Sequence, residues 1–243
     1  MSKITLIRHG QASFGAENYD LLSDIGRQQA AAVGEYFSKN HIQFDSIIHG
    51  QMSRQTETAQ IVATTCGFTG PLILDNGANE FDSDRLLQHY LPILASHSKE
   101  NKRIIDSKTK WFADGKTFET IFRKLIELWQ TDSNCPFESW DDFKRRVLAS
   151  LNGIRLERGA NKKIALVTSG GFIGVTLQTI FGFDNRRFMD TNLTINNASI
   201  SEIKITDLSE EQNPHQHLNA TLLGFNNISP LLIKNHKPLI TRK

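Results

Sequence analysis

Lys3-Ile4-Thr5-Leu6-Ile7-Arg8-His9-Gly10 is a short apolar run that ends abruptly in an arginine, a histidine and a glycine. Ile4, Thr5, Leu6 and Ile7 read as a buried strand bounded by a glycine turn. Such a strand delivers Arg8 and His9 to its carboxyl end, the side of an open α/β sheet where ligands bind. Arginine offers phosphate oxygens a rigid fork of donors, and a neutral imidazole is a competent nucleophile. Together they suit the handling of a phosphoryl group, whereas a strand-end histidine alone is more often structural.

Outward from this strand, Gln11 to Leu22 is a polar loop. Its Gly15, Asn18 and Asp20 supply turn chemistry, and its length suggests a rim over the strand end. Ser13 and Asn18 are its candidate phosphate ligands. Ser23 caps a helix to about Lys39, with Ile25, Ala32, Val33, Tyr36 and Phe37 as its apolar stripe. A second strand, Ser46-Ile47-Ile48, precedes Ser53, which reads as the cap of a helix reaching about Thr65. Arg54 then stands in a first turn, where a cation opposes the helix dipole. A bound anion as its partner accounts for that placement.

Pro71 to Leu74 reads as a third strand, followed by Asp75-Asn76-Gly77 and then Glu80. The sheet pattern then stops. Asp84 to Leu94 reads as a helix, Ser96 to Lys110 as a solvated loop or weak helix, and Thr117 to Trp129 as an amphipathic helix. Residues 80–137 thus form a helical insertion placed to shape a pocket. Ser139 opens a further helix in a capping box. The sheet resumes with Lys163 to Thr168, then Ser169-Gly170-Gly171 and the apolar helix Phe172 to Phe181. Here two glycines let backbone N–H groups approach an anion closely, although a tight structural turn would look the same. Leu193 to Thr206 and Asn219 to Phe225 read as late strands.

The 243 residues are 39% apolar, enough to bury a substantial core. A formal net charge of +2 points to neither nucleic acid nor an anionic membrane as the main partner. No apolar run approaches the roughly 20 residues that span a bilayer. The N-terminus shows no export signal, so a cytoplasmic location is the expectation. Cys66 and Cys135 fit neither a disulfide framework nor a zinc spacing, and no carboxylate cluster suggests a metal.

Arg8-His9-Gly10 after the first strand, Ser53-Arg54 with Thr58-Ala59 after the second, and Glu80 after the third resemble the histidine phosphatase superfamily, the phosphoglycerate mutase-like family. Val167 to Gly171 and Asn197-Ala198-Ser199-Ile200 extend the resemblance along nearly the whole chain. It implies a three-layer α/β/α fold with a mixed, mostly parallel sheet, as a single domain over 1–243 carrying the 80–137 insertion. It also implies that His9 is the nucleophile and forms a phosphohistidine. Arg8 and Arg54 would bind the phosphoryl group and depress the His9 pKa. Glu80 would be the general acid and then the base. No cofactor or metal is implied, and the partner is a small phosphorylated substrate or a phosphorylated side chain. The late strands offer an edge through which a homodimer could form.

One departure stands out. The family usually carries a second histidine in the late turn, as in Thr-His-Gly-Gly, and this chain has Ser169 there. Losing one transition-state donor costs on the order of 10² to 10³ in rate. The Ser169 hydroxyl and the Gly170 and Gly171 amides could compensate in part, giving an attenuated or differently tuned enzyme. His49 and His89 are minor candidates for the missing role. The leading expectation is a phosphomonoesterase. A mutase is the alternative, disfavoured because Gln11-Ala12-Ser13-Phe14 replaces the glutamate and Trp-Asn that follow Arg-His-Gly in glycolytic mutases. A weakly active or non-catalytic phosphoryl-binding protein is the third.

Overall fold

The computed structural model describes residues 1–13, 20–107, 114–206, 213, 217–232 and 238–242. Its centre is a six-stranded sheet in the order β3-β2-β4-β1-β5-β6. These strands are β1 (Ser2–Arg8), β2 (Ser46–His49), β3 (Leu72–Leu74), β4 (Lys163–Thr168), β5 (Ile200–Ile205) and β6 (Ala220–Asn227). The first four run parallel, while β5 and β6 are antiparallel additions. The sheet is flanked by α1 (Asp24–Lys39), α2 (Ser53–Cys66), α3 (Ser83–His97) and α4 (Lys99–Asp106), then by α5 (Gly115–Thr131), α6 (Trp140–Arg158), α7 (Gly170–Phe181) and α8 (Asn185–Thr194). This is the expected α/β architecture with a mixed, mostly parallel sheet.

Strand alternation explains why both faces are covered. Ile4, Leu6, Ile48, Ile164 and Leu166 point to one face, into a core shared with α3, α5, α6, α7 and α8. Ile7, Ile47, Ala165 and Val167 point to the other, against α1 and α2. The helices of the 80–137 stretch therefore share an apolar core with the sheet.

The parallel register sets Arg8 beside Thr168 and His49 beside Val167, so three strands end along one rim of the sheet. The turn after β1 is fastened there. His9 N–H donates to Thr168 O at 2.8 Å, and Gly10 N–H to Thr58 Oγ1 at 3.1 Å. It also packs hard against the first turn of α1. A Cβ on Gly10 would lie 2.4 Å from Gly26 O, and one on Gly26 would lie 2.2 Å from Gln11 O.

Three local expectations need correction. Ser23 does cap α1, accepting from Gly26 N–H at 3.0 Å, but Ile25 is exposed and Ala30 and Gly34 are buried on the inner face. Ser53 is the first residue of α2 rather than its cap, because the Asp20 carboxylate takes the Ser53 N–H at 2.7 Å. Of the two expectations for the 96–110 stretch, the helix is found over part of it, as α4 capped by Ser98. Residues 193–194 end the helix α8 instead of starting a strand. Among the described residues, no helix is long and apolar enough to cross a membrane.

Because backbone atoms meet on both sides of the Gly10–Gly26 junction, Gly26→Ala is an overpacking change. Such changes cost about 1–3 kcal/mol. The expected result is a lower urea midpoint at unchanged m-value, and an unaltered midpoint would show that the junction yields.

Candidate active site

Beyond the carboxyl ends of β1, β2 and β4 lies a cavity of about 530 Å³. Arg8, His9, Arg54, Glu80 and Gly170 line it. The sequence thus places four separate segments at one point, and the parallel sheet joins them.

His9 is held in one tautomer. Its Nδ1 lies 2.7 Å from Gly10 O, and Arg54 Nε lies 3.1 Å from its Nε2. A carbonyl oxygen only accepts and a guanidinium only donates. Nδ1 therefore carries the proton, and Nε2 presents its lone pair. Burial is the main cause that holds the imidazole well below its ordinary pKa, with Arg54 and then Arg8 adding to it. The hydrogen bond to Gly10 pulls the other way. Burial thus favours the neutral ring, with its lone pair at Nε2.

Arg54 is anchored from the rim. Its guanidinium meets Asp20 Oδ1 at 2.6 Å, while Asp20 Oδ2 accepts from Ser53 N–H. One carboxylate thus stands at the positive end of α2 and offsets the unfavourable cation in its first turn. Asp20 entered the sequence reading only as a turn residue. Arg8 Nη1 donates to Ile195 O, fixing the second arginine beneath the cavity.

Glu80 lies across from the arginines. Its Oε2 accepts from Gly171 N–H at 2.9 Å, and its Oε1 from Phe81 N–H at 3.3 Å. A Cβ on Gly171 would come within 2.1 Å of Glu80 Oε1, so this glycine makes the approach possible. Burial pushes the carboxyl above the ordinary glutamate range, partly opposed by the Gly171 amide, Arg54 and Arg8. Its loop is held from two sides. Arg146 donates to the carbonyls of Gly77 and Asn79 at 2.9 Å and pairs with Glu138 at 2.6 Å. Gln55 Nε2 and Thr168 Oγ1 both donate to Ala78 O.

Other expected residues are placed differently. Ser169 is fully buried and absent from the cavity wall. Its Oγ accepts from Gln55 Nε2 at 2.8 Å, and it makes no side-chain cap to α7. The expected donation to a phosphate oxygen is therefore not made from this position. Gln55 was overlooked in the sequence. Gly170 does line the cavity, and a Cβ there would meet Asn192 Oδ1 at 2.6 Å. Ser13 borders a separate hollow with Arg27 and Asp24, and Asn18 lies outside the described residues. His49 is buried with Nδ1 2.8 Å from Gly50 O. His89 sits edge-on to Tyr90. Neither histidine lines the cavity.

Asn192, Leu193 and Arg242 also reach the wall and were missed. For α8 a signal existed, since Asp184 is a capping residue and Phe188, Met189, Asn192 and Leu193 are helically spaced. Arg242 arrives by long-range contacts alone. Gln29 Nε2 donates to Leu239 O and Thr241 Oγ1, both at 2.8 Å, and Arg242 Nε donates to Asn196 Oδ1 at 3.3 Å. Among the described residues, no group of three or more histidine, cysteine or acidic side chains is arranged to hold a metal ion.

The family model described as histidine phosphatase superfamily (branch 1) matches residues 4–132 and 112–212. The chain belongs to this superfamily. It is 28% identical over 219 residues to a probable phosphoglycerate mutase, GpmB, of Salmonella choleraesuis, covering 87% of each chain. Among solved structures, phosphoserine phosphatase from Entamoeba histolytica in complex with phosphoserine is 21% identical, with a TM-score of 0.60 over 96% of this chain and 100% of that one. Phosphoglycerate mutase from Bacillus anthracis is 15% identical, with a TM-score of 0.61 over 94% of both chains. These two likenesses establish a shared fold.

The raised Glu80 pKa makes this histidine phosphatase fold pH-sensitive in a defined sense. The unfolded chain ionises Glu80 at the ordinary value, whereas the folded chain keeps the proton to higher pH. Stability is therefore lost as pH rises from the unfolded pKa through the folded one. Glu80→Gln removes that loss, and its side-chain carbonyl oxygen, placed where Glu80 Oε2 lies, can still accept from the Gly171 amide. Its urea midpoint should exceed the parent's near pH 7 and converge with it near about pH 4. A gain that is the same at both pH values would contradict the assignment.

Proposed function

We propose that the protein is a phosphomonoester hydrolase that works through a phosphohistidine on His9. The observation carrying this reading is the single-tautomer His9, with a lone pair at Nε2, facing one cavity with Arg8, Arg54 and Glu80.

A phosphate monoester enters with its dianionic group between Arg8 and Arg54. The Arg54 Nε–H shifts from His9 Nε2 to a phosphoryl oxygen, which releases the lone pair that it occupies at rest. His9 Nε2 then attacks phosphorus, the phosphorus–ester oxygen bond breaks, and Glu80 gives its proton to the departing alcohol. The two guanidinium groups stabilise charge on the transferring group, the largest demand of such a reaction. Water next attacks the phosphohistidine, Glu80 takes its proton, and the N–P bond breaks to yield inorganic phosphate. The low His9 pKa keeps the nucleophile neutral, and the raised Glu80 pKa keeps a proton available for the alcohol.

The mutase alternative draws support from the likeness to a probable phosphoglycerate mutase. It requires return of the phosphoryl group to the same substrate skeleton, and stimulation by a bisphosphoglycerate separates it from hydrolysis.

His9→Ala should abolish phosphate release and the acid-labile phosphoenzyme trapped by rapid quench. Arg54→Ala should lower kcat about 10²- to 10³-fold, the usual cost of one transition-state donor. The kcat/KM profile should be bell-shaped. Its acid limb follows protonation of His9 and lies well below the ordinary histidine range, while its alkaline limb follows loss of the Glu80 proton. Full activity in folded His9→Ala would sink the mechanism.

A further inference from the structure

Besides its arginines, the cavity is lined by a group of aromatic and aliphatic side chains. Phe118 and Phe122 of α5 stack with centroids 5.5 Å apart and planes 11° apart, and Phe122 lies nearly parallel to Phe81 at 6.4 Å and 25°. Leu87 of α3 and Leu193 of α8 complete the surface. Three chain segments far apart in sequence thus converge on one apolar face that opens directly beside the phosphoryl-binding end.

The remaining polar groups of the lining narrow the choice of ligand. Asp84 and Glu119 are carboxylates that face the same space, and Glu119 is paired with Arg123 at 3.0 Å. Arg242 is the only cation of the wall apart from Arg8 and Arg54 among the described residues, and it lies on the side of Asn196. A second anionic group on the substrate would find Arg242 on one side and two acids and an aromatic stack elsewhere in the lining. An apolar group would cover the stack and displace poorly held water.

We infer that the preferred substrates are phosphate monoesters of alcohols bearing an aromatic or alkyl group, with Phe118 and Phe122 as the residues that set this preference. The inference builds on the phosphomonoesterase reading and deepens it. Small polyanionic esters such as 3-phosphoglycerate are then poor substrates, because they gain nothing from the wall and bring a carboxylate to Asp84 and Glu119. Hydrolysis itself is the two-step displacement already given, with the apolar alcohol leaving on the Glu80 proton.

The test compares His9-dependent phosphate release from 3-phenylpropyl phosphate, glycerol 3-phosphate and 3-phosphoglycerate, all esters of unhindered alkyl alcohols. The phenylpropyl ester should exceed both others by 10-fold or more in kcat/KM. Phe118→Ala and Phe122→Ala should shrink that ratio about 10- to 100-fold, chiefly through KM, the scale on which apolar pockets discriminate. Phe122→Leu, which keeps an apolar side chain, should retain most of the preference and controls for misfolding. Turnover that favours glycerol 3-phosphate or 3-phosphoglycerate, or a ratio indifferent to both alanine changes, overturns the inference and leaves the phosphatase reading intact. Calorimetry with the unreactive 3-phenylpropylphosphonate separates the reverse case. Binding 10-fold tighter than inorganic phosphate, lost in Phe122→Ala, would uphold the wall's selectivity even if no ester were hydrolysed. Equal binding would overturn it.

Discussion

The constraint on which the rest depends is the parallel pairing of β1 between β4 and the antiparallel β5. A strand hydrogen-bonded on both sides cannot shift by one residue without turning its core side chains to the wrong face. Ile4 and Leu6 face one core and Ile7 the other, so the register of β1 is fixed by both at once. Arg8 is then held beside Thr168, and the next residue, His9, has no choice of position. Its backbone donates to Thr168 O on one side, and its carbonyl accepts from Ala198 N–H on the other. A nucleophile needs this kind of overdetermination more than it needs intrinsic reactivity.

What the sequence made legible follows from how local each signal is. β1, β2 and β4 were readable because short apolar runs ending in glycine or serine turns are local patterns. Ser23 and Ser139 were readable as caps because a cap acts within three residues. Asp20 was not, because it caps α2 from 33 positions away and only after the rim has folded back. Arg146 and Gln29 act over similar or greater separations, as does Arg242. No periodicity encodes such contacts. The helix α8 is a different kind of miss, since its cap and spacing were present but residues 182–192 were given no element and 193–194 went to the strand that follows.

The electrostatics of the site also correct a simple reading. The two arginines were expected to account for a low His9 pKa, yet burial comes first and the cations second. The same burial acts in the opposite direction on Glu80, raising its pKa against the pull of the same two arginines. Burial thus moves the two groups in opposite directions, the imidazole toward its neutral form and the carboxyl toward its protonated form, while the arginines act to lower both values.

Ser169 is where the chain departs from its family's usual pattern, and the structure gives that departure a physical form. Ser169 is buried outside the cavity wall, and its Oγ accepts from Gln55 Nε2. Gln55 in turn donates to Ala78 O, two residues before Glu80. The buried pair therefore ties the β4 turn to the loop that carries Glu80. The cavity that Glu80 lines also carries Phe81, Phe118 and Phe122 with Asp84 and Glu119, so the held carboxylate and the aromatic surface invoked for the proposed selectivity share one space.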